Sequence, residues 1–121
     1  MEVINVLQKF ELFEEQWTPK IIGALNGQHV KLARVAGDFV WHNHEHEDEL
    51  FWVLKGQLIM EFRDKTVEIG PGEMIIVPKG VEHCPRTKDG QEVFLLLFEP
   101  QAIKHTGEVQ DKRTVTQMDW I

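Results

Sequence analysis

Short β-prone runs, separated by turn residues, recur along most of the chain and are the strongest constraint on its fold. Two of these runs meet at Asn26-Gly27, and Asn-Gly between β-prone runs is a strong hairpin signal. Strands at intervals of about eight to twelve residues, joined by short turns, are typical of antiparallel sandwiches and barrels. The sequence therefore predicts an all-β antiparallel fold, with strands over residues 21–25, 29–36, 39–46, 50–54, 57–63, 66–69, 73–77 and 92–99 and a further segment at His83.

The two ends of the chain fall outside this pattern. Residues 3–15 have apolar residues at helical spacing, which fits a short helix or a strand followed by a loop. Residues 101–121 are polar, and we expect them to pack on the barrel or on a partner subunit. We expect a single domain over residues 1–121, with its barrel core at about residues 20–100. The candidate docking residues of the C-terminal segment are Val115, Met118, Trp120 and Ile121.

Composition excludes several classes of function. The 121 residues include 20 acidic and 13 basic side chains, giving a net charge of −7, so nucleic acid and anionic membranes are poor candidate partners. The one cysteine, Cys84, allows no internal disulfide, and the longest apolar run, residues 93–98, is too short to span a bilayer. Residues 1–13 have no apolar segment typical of a secretory signal. We therefore expect a cytoplasmic protein.

Histidines and a glutamate stand at spacings that suit a metal site. On a strand, side chains two residues apart point to the same face, so His42 and His44 would direct two imidazoles to one point. Glu49 and His83 could reach the same point from nearby strands. A set of nitrogen and oxygen ligands suits Fe, Mn, Ni, Cu or Zn better than Ca or Mg.

His46 is an alternative ligand in this region. A strand that stays regular past His44 would place His46 on the same face, where it could replace Glu49 or His83. A turn after His44 would instead leave His46 exposed. Glu47 or Asp48 is a candidate to fix the outer ring nitrogen of a ligand histidine.

Two spaced motifs extend this pattern and carry a family resemblance. In the first, a glycine precedes His-x-His, and a glutamate and a second glycine follow; its members are Gly37, His42, His44, Glu49 and Gly56. The interval from Gly37 to His42 is one residue short of the usual spacing. In the second, a glycine, Pro-x-Gly and a histidine follow in order as Gly72, Pro78, Gly80 and His83, with Thr87 where asparagine is usual. The chain thus resembles the cupin superfamily, in particular its small single-domain conserved-barrel (cupin 2) members.

The resemblance implies a fold, a cofactor and a ligand set. The fold would be an antiparallel double-stranded β-helix, or jelly-roll barrel, with short segments outside it at both ends. One divalent metal ion would be held by His42, His44, Glu49 and His83. Some cupin barrels hold no metal, so a metal-free barrel stays an alternative. We expect shielding aromatic residues around the site, with Phe39, Trp41, Phe51 and Trp52 as the candidates.

The resemblance also implies a set of functions. Cupin enzymes include dioxygenases, decarboxylases and isomerases, and many small relatives carry a mannose-6-phosphate isomerase-like label that rests on fold similarity. We expect a metal-dependent enzyme acting on a small oxygen-rich metabolite, with no catalytic residue assigned beyond the general acid–base candidates His46, Glu47 and Glu82. The alternative is a regulatory module that binds a small ligand or metal without turnover. A metal-free epimerase with a tyrosine acid is disfavoured because the chain has no tyrosine.

Small cupins usually dimerise, often by exchanging an end segment. Residues 1–19 are apolar enough to serve, and a barrel with an exposed sheet edge must cover it. We therefore expect a homodimer.

Overall fold

Eight strands form two antiparallel sheets in the computed structural model, which describes residues 1–101 and 117–121. The five-stranded sheet has the order β1-β2-β8-β3-β6, and the three-stranded sheet has the order β5-β4-β7. The predicted all-β antiparallel barrel is confirmed. The strands are β1 (Lys20–Leu25), β2 (Gln28–Val35), β3 (Glu49–Lys55), β4 (Leu58–Phe62), β5 (Thr66–Ile69), β6 (Met74–Val77), β7 (His83–Thr87) and β8 (Val93–Pro100).

Turn chemistry explains where the strands end. Gly56 lies between β3 and β4 with φ 88°, a left-handed conformation that glycine adopts without steric conflict. The backbone also packs closely there, because a Cβ on Gly56 would lie 2.8 Å from the carbonyl oxygen of Glu92. The predicted Asn26-Gly27 hairpin is confirmed, with both residues at positive φ between β1 and β2.

The interior is filled by alternate residues of the strands. In β8, Val93, Leu95 and Leu97 face inward, and Glu99 continues the same buried row. Apolar residues of both sheets pack with this row in one continuous cluster. The interior is therefore apolar over most of its length and becomes polar at the Glu99 end.

The N-terminal segment packs on the outer face of the five-stranded sheet. A single helical turn, α1 (Val6–Lys9), leads into a 3-10 turn (Phe10–Leu12), so the helical alternative for this segment describes it better than a strand does. Phe10 is 1% exposed and packs with Phe13, Ile22 and Leu32. The segment therefore buries its aromatic residues on its own barrel.

The described end of the chain also docks on the barrel. Trp120 forms a parallel bridge with Ile21, and Ile121 packs against the cluster around Phe10. The expected docking on the barrel thus holds for residues 117–121. The candidate docking residue Val115 lies outside the described residues.

Two expectations about strands and side chains are wrong. Residues 39–46 do not form a continuous strand; an isolated bridge joins His42 to His83, and another, just before the segment, joins Asp38 to Arg86. Trp52 does not shield the interior, because strand alternation points Phe51 inward and Trp52 outward, where it is 41% exposed.

No helix in residues 1–101 or 117–121 has the length and apolar character that a bilayer crossing requires.

Candidate metal centre

The four predicted ligand residues meet in the interior of the barrel. One donor atom from each of His42, His44, Glu49 and His83 can be chosen so that all four lie within 4.8 Å of one another, and all four residues are buried. Glu49 begins β3 of the five-stranded sheet, whereas His83 begins β7 of the other sheet. The site therefore lies where the two sheets approach each other.

Backbone hydrogen bonds hold the histidine segment in place. The amide of His42 donates to the carbonyl of His83 at 3.0 Å, and the amide of His83 donates to the carbonyl of His42 at 2.9 Å. The amide of Gly80 donates to the carbonyl of His44 at 2.8 Å, and the amide of Lys79 donates to Asp48 Oδ1 at 2.9 Å. The two motif segments are thus fixed to each other on both sides of the site.

Two carbonyl groups set the orientation of two imidazoles. His42 Nδ1 lies 2.9 Å from the carbonyl oxygen of Val40, and His83 Nδ1 lies 2.9 Å from that of Val81. Because a carbonyl can only accept, each Nδ1 must carry the hydrogen and each Nε2 has a free lone pair. Both Nε2 atoms are buried without a hydrogen-bond partner. The Nε2 atoms of both imidazoles therefore face the same small space.

Glu49 faces two of these imidazoles. Its Oε2 lies 3.0 Å from His44 Nε2 and its Oε1 lies 3.5 Å from His83 Nε2. These contacts are close but lack the alignment of hydrogen bonds, so His44 Nε2 and Glu49 Oε1 are also without partners. Burial by itself raises the pKa of the Glu49 carboxyl, but His44, His83 and Glu99 outweigh it and hold that pKa well below 4.5.

His42 is held neutral by its surroundings. Burial, together with the neighbouring His83, lowers the pKa of His42 from 6.5 to about 4. A neutral imidazole is the form that binds metal ions. At neutral pH, protons therefore do not compete with a cation for His42.

The chemistry of this donor set fits a transition-metal ion. Three imidazole nitrogens and one carboxylate oxygen form the cluster, and four of its buried polar atoms have no partner within the protein. Such a mixture suits Fe, Mn, Ni, Zn or Cu, whereas Ca and Mg prefer oxygen ligands. The group could therefore hold a divalent metal ion.

The sequence did not indicate a buried ion pair that lies beside this site. Lys31 Nζ lies 2.8 Å from Glu99 Oε1, and the two side chains are 1% and 0% exposed. Burial and the negative charge of Glu49 raise the pKa of Glu99 well above 4.5, although Lys31 opposes the shift. The signal in the sequence was weak, because single charged residues in strands usually indicate a solvent-facing side.

A small apolar cavity adjoins the cluster. It has a volume of about 30 Å³, and His42 and Glu49 are its ionisable lining residues. Trp17 and Phe39 form part of its wall, with ring centroids 4.5 Å apart and planes inclined by 14°. The expected shielding is confirmed for Phe39 and Phe51. The remaining lining residues are Pro19, Ala33, Val35, Pro85, Leu95 and Leu97.

Several predicted site residues lie outside the cluster. The side chain of His46 is 80% exposed and has its Nε2 3.6 Å from Glu45 Oε2, because the extended segment bends after His44. Asp48 accepts from the backbone of Lys79 instead of a ligand histidine. Trp41 is not part of the cavity wall. Its ring instead packs against the Arg63 guanidinium, whose central carbon lies 3.8 Å from the centroid of the Trp41 ring.

The motif position that departs from the usual pattern has a structural explanation. Thr87 replaces asparagine there, and its Oγ1 accepts a hydrogen bond from the amide of Gly37 at 2.8 Å. The amide of Thr87 donates to the carbonyl of Gly37 at 3.0 Å. Thr87 thus joins the beginning of the first motif to the end of the second, away from the donor atoms.

A barrel with an interior cluster of imidazoles and a carboxylate defines the class of this protein. A family model described as "Cupin domain" matches residues 28–99, which is more than half of the chain. The chain therefore belongs to the cupin family, and the resemblance inferred from the motifs is confirmed.

Relatives and solved structures support this membership. A cupin-2 domain containing protein from Shewanella frigidimarina NCIMB 400 is 43% identical with a TM-score of 0.79, over 82% of this chain and 95% of that one. "Uncharacterized protein YdbB" of Bacillus subtilis (strain 168) is 39% identical over 67 residues, 54% of this chain and 59% of that protein. The match thus spans about three fifths of this relative's length. The polyketide cyclase RemF from Streptomyces resistomycificus is 30% identical with a TM-score of 0.59, over 67% of this chain and 61% of that one.

Proposed function

We propose that His42, His44, Glu49 and His83 hold one divalent metal ion, Fe, Mn, Ni, Zn or Cu, and that the chain is a metal-dependent enzyme acting on a small oxygen-rich metabolite. The observation that carries the proposal is the convergence of buried donor atoms within 4.8 Å, several of them without a partner. Buried polar atoms without partners are rare because each loses its hydration. One cation would satisfy all of them together.

The residues of the chain would prepare the site for such an ion. Val40 and Val81 orient two imidazoles through their carbonyl groups, and the apolar cavity wall keeps bulk water out. A bound divalent ion supplies Lewis acidity and, for a redox metal, a route for electrons to dioxygen. Dioxygenase-like and isomerase-like reactions are both consistent with this chemistry.

The cavity favours a compact ligand. A volume of about 30 Å³ accommodates only about two water molecules, so a larger ligand requires movement of a wall residue such as Trp17. The apolar lining favours a ligand whose oxygen atoms face His42 and Glu49 and whose hydrocarbon part faces the wall. The similarity to the polyketide cyclase RemF supports an enzymatic role.

A second candidate function is binding without turnover. Of the predicted acid–base residues, His46 is exposed and Glu82 pairs with Arg63 at 3.2 Å. Neither lies in the cavity wall, and neither does Glu47. The absence of a further acid or base from the cavity lining, as described, favours a module that binds a small ligand or metal.

Metal content tests the proposal directly. Tag-free protein purified without chelator is expected to contain about one transition-metal ion per chain by plasma mass spectrometry. The His42→Ala/His83→Ala double variant should lose the ion, whereas His46→Ala, a control outside the cluster, should keep it. Equal metal in all three proteins, or none in the wild type, would contradict the four-ligand site.

Turnover separates the two candidate functions. With the metal identified, oxygen consumption and product formation are measured with small enols, diols and hydroxy acids. Turnover that is absent from the double variant supports the enzyme. Tight binding of one of these compounds without any product supports the binding module.

We further propose a homodimer in the cytoplasm. Exposed apolar side chains lie on the outer face near β6, an edge of the five-stranded sheet: Trp52, Met74 and Ile76. A second copy would bury these side chains and cover the edge. Light scattering at micromolar concentration is expected to give the mass of a dimer, and a monomer at that concentration would refute this proposal.

A further inference from the structure

Lys31 and Glu99 form an ion pair in the barrel interior, between the apolar core and the proposed metal ligands. Their inward-facing neighbours on the same strands include Ala33 and Leu97, which belong to the main core. Removing two charges from water costs free energy that their attraction often fails to recover, so apolar residues at such positions are commonly as stable or more stable. Fold stability alone therefore gives a poor account of this pair.

The pair lies next to a proposed metal ligand. The antiparallel register pairs Leu50 with Phe98, so Glu49 of β3 stands opposite Glu99 of β8. On the other side of β8, His29 pairs with Glu99, and Lys31 lies two residues further along β2. The Glu99 carboxyl group binds Lys31, with 2.8 Å between Oε1 and Nζ. Lys31, Glu99 and Glu49 thus follow one another across three adjacent strands.

We propose that Glu99 is a positioning residue for the metal site, which keeps the Lys31 ammonium away from Glu49 by binding it. The inference rests on the proposed metal-binding function. Without Glu99, Lys31 would be an unpaired cation in the barrel, with the Glu49 carboxylate two strands away on the far side of β8. Charges attract strongly where water is excluded, so the ammonium would pair with Glu49 and compete with the metal ion.

Metal affinity of matched variants tests this role. Binding of Zn²⁺ alone is measured by competition with a chromophoric chelator for the wild type, Glu99→Leu and Lys31→Met/Glu99→Leu. Glu99→Leu is expected to raise the Zn²⁺ Kd by about 10- to 100-fold, the usual effect of losing a group that supports a ligand. The double variant, which has no competing ammonium, should return to within about threefold of the wild-type Kd.

A control separates positioning from a general loss of stability. Val93→Ala alters the same inward-facing row of β8 at the end remote from Glu99, and Val93 is not part of the cavity wall. It should lower Tm without changing the Zn²⁺ Kd. A purely structural role for Glu99 predicts the same behaviour for Glu99→Leu, namely a lower Tm with a wild-type Kd.

A milder pair of variants keeps the test decisive if Glu99→Leu does not fold. Glu99→Gln retains an oxygen that can accept from Lys31 but removes the charge, so it should weaken Zn²⁺ binding less than Glu99→Leu does. Adding Lys31→Met should restore affinity here as well. A wild-type Kd in Glu99→Gln, or no recovery in the double variants, would overturn the inference. Failure of the wild type to bind any metal would instead refute the proposed function itself.

Discussion

Acid is expected to destabilise the metal-free protein through His42. Burial and the neighbouring His83 lower the pKa of His42 from 6.5 to about 4. Between these two values, the unfolded chain binds a proton at His42 and the folded chain does not. The free energy of unfolding therefore falls as the pH falls. The contribution is fully present above about pH 6.5 and is lost as the pH approaches 4.

The size of the effect follows from the difference in pKa. Each pKa unit corresponds to about 1.36 kcal/mol, so a change from 6.5 to about 4 corresponds to roughly 3 kcal/mol. About 2.5 kcal/mol of this is lost by pH 4.5, compared with a total stability of about 5–15 kcal/mol for a typical domain. The pKa of Glu49 is held well below 4.5, so Glu49 contributes at lower pH. The pKa of Glu99 is raised well above 4.5, so Glu99 opposes this loss within the same interval, and the share of the histidine is the difference between the wild type and a variant without His42.

Urea unfolding of chelator-treated protein at several pH values measures this effect. His42→Leu replaces the ring with an apolar side chain. Between pH 7 and 4.5, the free energy of unfolding of this variant should fall by about 2.5 kcal/mol less than that of the wild type. His46→Leu serves as the control because the side chain of His46 is 80% exposed; the wild-type pH dependence should remain. The same acid-induced loss in His42→Leu as in the wild type would refute the reasoning.

Three further predictions concern the site and the fold. Zn²⁺ at about 100 times its Kd should stabilise the wild type by about 2.7 kcal/mol in thermal unfolding, and the same increase in His83→Ala would contradict the assignment of His83. Gly56→Ala should lose about 2–5 kcal/mol in urea unfolding, because φ is 88° and the added Cβ would lie 2.8 Å from a carbonyl oxygen. Gly72→Ala, with φ 83° and no atom within 4 Å, should lose only about 1–2 kcal/mol, and equal losses would contradict the close packing at Gly56. Phe10→Ala should lose about 3–5 kcal/mol because the side chain is 1% exposed, and unchanged stability would mean that the N-terminal segment does not pack on its barrel.

The parts of the fold that sequence predicts well are those with local causes. The Asn26-Gly27 hairpin and the β3–β4 turn at Gly56 depend on backbone conformations that few residues tolerate, and both are found where expected. The resemblance to the cupin motifs likewise pointed to His42, His44, Glu49 and His83, the residues that converge. Strand periodicity alone had left His46 open as a ligand.

The features that sequence missed depend on contacts between distant segments. Residues 39–46 alternate like a strand, but their backbone makes scattered hydrogen bonds to Pro85, His83 and Gly80 and bends after His44. Lys31 and Leu32 are both buried, one inside the barrel and one under the N-terminal segment. Because both faces of β2 are covered, its polarity pattern could not indicate which side faces the interior, and the Lys31–Glu99 pair was not predicted.

The placement of Glu49 and His83 on different sheets has a kinetic consequence. An ion bound to both would connect the five-stranded and three-stranded sheets at their approach, so its release would require that the sheets separate at this end. Residence time would then be governed by how often the barrel opens, and amide hydrogen exchange in β3 and β7 should slow together when the ion is bound. Metal release and local unfolding would be the same event, observed by two methods.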